Sequence, residues 1–154
     1  MYQHIVKRLL DLLVAFLALL LGAIPMLVIA LIIKLDSPGP ILFRQTRLGR
    51  RKKPFTMLKF RSMPTSSPKD IPTHLLTEAV PLTGWQRFIR RSSIDELPQL
   101  LNILAGHMSL IGPRPYLPRE KEDMGSRYDT IVKFKPGLTG IWQATGRSNI
   151  GFAE

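Results

Sequence analysis

Two carboxylates stand side by side, Asp95 and Glu96, in the segment Arg90-Arg91-Ser92-Ser93-Ile94-Asp95-Glu96-Leu97-Pro98-Gln99. The whole chain holds 11 acids against 22 Lys and Arg, so an acid pair framed by arginines is a candidate for chemistry. A carboxylate can attack phosphorus or carbon as a nucleophile, and its neighbour can hold a divalent cation. Phosphoryl chemistry needs both where an anionic substrate must be neutralised. The same residues have a structural reading. Ser93-Ile94-Asp95-Glu96 fits the S-x-x-E capping box, and acids in a first helical turn are favoured by the macrodipole. Pro98 weighs against the cap, because in a helix starting at Ser93 it would lose a hydrogen bond to the Ile94 carbonyl and clash with it. Locally, both readings stay open.

The elements that must position the pair are bounded by composition. At 154 residues there is room for one compact domain, but roughly a fifth of the chain, near the N-terminus, is too apolar for a soluble surface. With no cysteine, disulfide scaffolds, thiolate metal sites and Cys nucleophiles are excluded, and the scattered His4, His74 and His107 do not suggest a zinc centre. Any metal should be hard and oxygen-bound. The net charge of +11 calls for an anionic partner: nucleic acid, lipid headgroups or phosphate-bearing substrates.

Leu12 to Ile33 is uncharged, with Lys7, Arg8 and Asp11 before it and Lys34 after it. This exceeds the roughly 20 residues needed to cross a bilayer, and no small-x-small cleavage site follows it. Pro25 lies near its midpoint, where it removes a hydrogen bond and bends a helix. Cations flank both ends, which marks both as cytoplasmic. A kinked, re-entrant helix hairpin satisfies this; a spanning anchor with a tolerated proline is the competing arrangement.

Beyond the membrane segment, Ile41-Leu42-Phe43 and Phe55-Thr56-Met57-Leu58 are joined by a cationic turn, Leu48 to Pro54, which reads as a β-hairpin near the membrane exit. Its tip could meet anionic headgroups or simply keep an edge strand soluble. Pro64 to Pro72 is a breaker-rich loop. Leu97, Leu100, Leu101 and Leu104 fall at i, i+3, i+4 and i+7 with Gly106 as a stop, so a short amphipathic helix spans Leu97 to Gly106 and the acid pair lies at its start. Gly112-Pro113-Arg114-Pro115 is a rigid turn that suits Arg114 to phosphate recognition, or else is a plain connector. Arg119 to Asp129 reads as a polar helix. The fold class is α+β and helix-dominated.

Several segments occur together in a fixed order: the basic start with its proline-broken apolar helix, Asp36-Ser37-Pro38-Gly39-Pro40, Phe43-x-Gln45-x-Arg47-x-Gly49 and Lys59-Phe60-Arg61-Ser62-Met63. Ser93-Ile94-Asp95-Glu96-Leu97-Pro98-Gln99-Leu100-x-Asn102, Gly112-Pro113-Arg114-Pro115, Lys135 to Gln143 and Gly146-Arg147 complete the set. Together they resemble the bacterial sugar transferases, the monotopic polyprenyl-phosphate phosphoglycosyl transferases, and the resemblance covers nearly the whole chain. It implies residues 1–36 as a membrane-embedded kinked helix and 37–154 as a cytoplasmic catalytic domain. Members usually continue with a Trp- and Tyr-rich helical segment, so the C-terminal part of the family domain is expected to be missing here.

The resemblance also implies a reaction: transfer of a phosphosugar from a UDP-sugar to undecaprenyl phosphate, with release of UMP, at the cytoplasmic face of the bacterial inner membrane. The product would start assembly of an exopolysaccharide, capsule, O-antigen or glycoprotein glycan. By the family pattern Asp95 is the nucleophile that carries a covalent phosphosugar, and Glu96 is the acid that binds Mg²⁺. Arg90, Arg114, Arg147, Lys59, Arg61 and Gln143 fall at substrate-binding positions, and Pro25 at the membrane-helix break. The surplus cations are expected to keep Asp95 at low pKa. Membrane lipids are implied partners, a homo-oligomer is compatible, and nucleic acid is not expected, for want of aromatic interleaving or a binding module. The alternative is an inactive or truncated family member acting as a membrane-anchored interaction or anionic-lipid-binding protein.

Overall fold

The structure, a computed structural model, describes residues 2–65, 67, 82–121, 125 and 127–140. Helix α1 runs from Tyr2 to Asp36, and its Leu, Ala and Ile content favours helix throughout. Residues Ile5–Asp36 are long and apolar enough to cross a membrane, with a mean hydropathy of 3.0 over their 18-residue apolar window. Helix continues on both sides of Pro25. Proline removes one donor, the bond to the Leu21 carbonyl, and the neighbouring turns keep theirs.

A narrow stripe of α1 is buried: Asp11, Ala15, Ile29 and Ile33, at nearly heptad spacing. Ala15 joins Phe55, Met57, Leu100, Ile103 and Met108 in one cluster, while Ile29 and Ile33 meet Phe60 in a second. Leu97 packs against both clusters. Most of the remaining surface of α1 is exposed and apolar, with Leu20, Leu21, Ile24 and Leu27 each more than 60% exposed.

Strands β1 (Leu42–Leu48) and β2 (Pro54–Phe60) form the expected hairpin, antiparallel from Leu42↔Phe60 to Leu48↔Pro54. Strand β1 is longer than its apolar residues indicate, because its inward face is polar: Gln45 and Arg47 are buried opposite Met57 and Phe55. The tip is a 3₁₀ turn at Arg50–Lys52 in which Arg51 and Lys52 take positive φ.

Helix α2 (Gly84–Arg91) opens with a capping box between Thr83 and Gln86. The acid pair follows in a 3₁₀ turn, Ile94–Glu96, and α3 (Gln99–Leu104) comes next. Neither the capping box at Ser93 nor a helix starting at Leu97 is observed. Ser93 is left-handed, with φ 60°, and its side chain makes no cap bond; the buried Pro98 sets the α3 start. Strand β3 (Ser109–Ile111) pairs in parallel with β4 (Gly137–Thr139). The rigid turn begins where Gly112 and Gly137 pass back to back: a Cβ on Gly112 would lie 2.8 Å from the Gly137 nitrogen. The helix expected over Arg119 to Asp129 corresponds to a 3₁₀ turn, Pro118–Lys121, and a short α4, Arg127–Ile131. The loop 64–72 lies largely outside the described residues, as do Gln143 and Arg147.

Candidate active site

The turn Ile94–Glu96 is pinned between α2, β2 and α1. Ile94 packs with Ile29, Ile33 and Phe60, which buries the adjacent Asp95 to 7% exposure. Ser62, just past β2, donates from Oγ to Asp95 Oδ2 at 3.4 Å. Lys59, on the inward face of β2, reaches Glu96 Oε1 at 2.9 Å. Helix α3 is tied to the same strand by Asn102, whose carboxamide accepts from Leu58 N at 3.0 Å and donates to Thr56 O at 2.7 Å. That clamp spaces Lys59 from Glu96.

Burial pushes the Asp95 carboxyl up to about 6, against the opposing charges of Lys59 and Arg90 and the Ser62 hydrogen bond; Glu96 adds to the rise. The expected low pKa is therefore corrected, because desolvation of a buried carboxylate outweighs the cations around it. The group is still mostly ionised at neutral pH. Burial lowers the Arg90 pKa, while Asp95 opposes that shift. Asp95, Glu96, Lys59 and Arg90 thus come together.

Arg114 belongs to a neighbouring charged network. Its Nη2 lies 3.5 Å from Glu120 Oε1, and its guanidinium sits over the Tyr116 ring. Glu120, 3% exposed, also accepts from Leu117 N at 2.6 Å and lies 3.8 Å from Arg47 Nη1. Arg47 donates to Gln45 Oε1 and the Pro115 carbonyl, and burial lowers its pKa to about 10. It feels both Glu120 and Glu96, so it links this network to the acid pair.

Arg61 is placed elsewhere. Its guanidinium donates to the carbonyls of Ile33, Ser37 and Pro38 at 2.6–3.1 Å and to Ser37 Oγ at 3.0 Å, closing the end of α1. Among the described residues no bond from it reaches the acid pair, and the contacts it makes are structural.

Sequence reasoning placed Gln45, Arg47, Ser62 and Asn102 in the segments that carry the resemblance but gave them no role, and it passed over Glu120. The signal for Gln45 and Arg47 was their alternation on the strand face that carries Met57 and Phe55. No local pattern marks Glu120. Among the described residues no group of three acids or histidines converges. A hard cation here would rely on the two carboxylates and on substrate oxygens, a donor set that suits Mg²⁺.

The family profile for bacterial sugar transferases matches residues 2–154. The chain belongs to that family. This sugar transferase is 42% identical over 154 residues to an uncharacterized sugar transferase, EpsL, of Bacillus subtilis, covering 97% of the present chain and 73% of the relative. It is 41% identical over 147 residues to the UDP-glucose:undecaprenyl-phosphate glucose-1-phosphate transferase of Escherichia coli, covering 94% of the present chain and 32% of the relative. Identity to the undecaprenyl-phosphate galactose phosphotransferase of Salmonella typhimurium is 33% over 165 residues, covering 97% and 34%. The sugar transferase chain therefore spans about a third of the length of the last two relatives.

Proposed function

We propose that the chain transfers a phosphosugar from a UDP-sugar to undecaprenyl phosphate through a covalent intermediate on Asp95. The observation that carries this reading is a buried, mostly ionised carboxylate beside a second one, faced by Lys59 and Arg90. The names of the relatives support the general reaction. An Asp95 oxygen attacks the phosphorus bonded to the sugar, and the bond from that phosphorus to the UMP phosphate breaks. UMP leaves with the bridging oxygen and both electrons. An oxygen of undecaprenyl phosphate then attacks the same phosphorus, and the Asp95 carboxylate is the leaving group.

Ser62, donating to Oδ2, leaves Oδ1 as the attacking oxygen. Lys59 and Arg90 offset charge as the anionic phosphorus approaches an anionic nucleophile, and Arg114, Arg147 and Gln143 serve the donor. Glu96 is paired with Lys59 through Oε1, so Oε2 is the oxygen turned to a cation. Mg²⁺ held there would neutralise the diphosphate as UMP departs.

The reading also places the chain at the cytoplasmic face of the inner membrane, with α1 entering and leaving by the same face. Supporting this, both ends of α1 bond to one globular part: Arg8 to the Ile103 and Leu104 carbonyls, and Arg61 to the Ile33 carbonyl. The relatives are named for glucose and galactose, so the donor is to be found by screening UDP-sugars for UMP release with undecaprenyl phosphate and Mg²⁺. Asp95→Asn and Asp95→Ala are expected to abolish release and phosphosugar labelling; full activity in either sinks the nucleophile assignment.

A further inference from the structure

Lys135 ends in a crowd of its own sign. Burial is the first cause of its lowered pKa, and Arg8, Arg50 and Lys7 lower it further, with Asp11 opposing them. Among the described residues no hydrogen bond or ion pair ties its ammonium. Its neighbours are aimed largely by neutral groups. Arg8 donates to Ile103 O at 2.7 Å and Leu104 O at 3.1 Å, capping α3, while Arg50 Nε donates to Lys133 O at 3.0 Å. Bonds to carbonyls fix where these charges stand without cancelling them. Asp11 is itself divided among Lys7, Ser109 Oγ and Leu110 N.

Two of the charges close over one glycine. A Cβ on Gly106 would stand 3.5 Å from Arg8 Nη2 and 4.0 Å from Lys135 Nζ. One phosphate bridges such a pair through two charge-assisted hydrogen bonds of about 2.8 Å each. Gly106, with φ +86°, has no side chain to fill the floor beneath it. Location selects the source of the phosphate. Leu9 and Leu10, next after Arg8, are 61% and 54% exposed, and the exposed apolar face continues through Leu13, Val14, Phe16 and Leu17. The cluster stands at the rim where α1 meets the apolar phase.

We propose that Lys135, Arg8, Arg50 and Lys7 form a headgroup site for an anionic phospholipid, with its phosphate seated over Gly106 and its acyl chains along the first exposed turns of α1. This takes from the proposed function only that α1 lies in the bilayer. It is separate from the acid pair, whose turn packs on Ile29 and Ile33 toward the other end of α1.

The test is native mass spectrometry of the full chain in mild detergent, supplied with phosphatidylglycerol, phosphatidylcholine or inorganic phosphate. Phosphatidylglycerol should be retained over phosphatidylcholine, with Lys135→Gln and Arg50→Gln each lowering that ratio about fivefold. Lys135→Arg should preserve it. So should the Arg51→Gln/Lys53→Gln pair, which removes hairpin charges that do not act on Lys135. Equal retention of the two lipids by the unaltered chain overturns the site, as does an unchanged ratio in Lys135→Gln. An equal loss in the hairpin pair reduces the effect to net charge and overturns it too. Displacement of the lipid by millimolar inorganic phosphate would assign the cluster to a free anion instead. Asp95→Asn should keep the preference without releasing UMP, so lipid site and reaction stand or fall separately.

Discussion

Asp95 carries opposed demands. Its carboxyl is raised from 3.8 to about 6 by burial, so the folded protein holds that proton more tightly than the unfolded chain. The protonated group therefore stabilises the fold fully below about pH 4, and this is lost as pH rises through about 6. At neutral pH the ionised form costs on the order of 1–3 kcal/mol. Asp95→Asn should then raise Tm at pH 7 in the same preparation in which it abolishes UMP release; a lowered Tm would show the charge to be net stabilising. The reaction needs the ionised form, so release should fall about tenfold per pH unit below 6. Lys59 is the largest influence holding the value down, and Lys59→Gln should move this acid limb to higher pH. A limb that stays in place would falsify its electrostatic role.

At the scale of elements, two side chains bind segments together. Asn102 satisfies Thr56 O and Leu58 N on one edge of β2. Asn102→Ala should destabilise by about 1–3 kcal/mol in denaturant unfolding, and slow UMP release as Lys59 and Glu96 lose their spacing. Arg61→Lys should lower Tm, since an ammonium cannot reproduce a fork shared by three carbonyls and a hydroxyl. Donor KM should stay unchanged, whereas a raised KM would restore the substrate role read from the motif. The difference between these two residues shows what a sequence conveys. The hairpin, the α3 heptad of leucines and the acid pair were legible because period and turn chemistry are local. Arg61 was read from its motif neighbours Lys59 and Ser62, but its partners lie 23 to 28 residues away, at the end of α1 and just past it. Asn102 and Glu120 act on backbone groups brought near only by the fold, and the 3₁₀ turn depends on a left-handed Ser93 that no propensity favours.

For the whole molecule, the decisive relation is between α1 and the domain it serves. The apolar run alone was compatible with a span or a return, and Pro25 did not separate them. Contacts do. Arg8 caps α3 and Asp11 accepts from Leu110 N at one end, while Arg61 holds the Ile33 and Ser37 carbonyls at the other. A helix crossing the bilayer would carry the first set to the far face, taking Arg8 from the Ile103 and Leu104 carbonyls and Asp11 from Ser109 Oγ and Leu110 N, with only Lys7 left beside it. In the proposed same-face arrangement both sets stay intact and α1 rests in one leaflet, its Ala15 to Ile33 stripe toward the domain and its exposed leucines toward lipid. The chain has no native cysteine, so single cysteines report topology cleanly. In inverted inner-membrane vesicles a membrane-impermeant maleimide should label Gln3→Cys and Pro40→Cys alike, and spare Leu20→Cys. Labelling of only one flank would mean that α1 spans, and that one set of contacts is broken in the membrane.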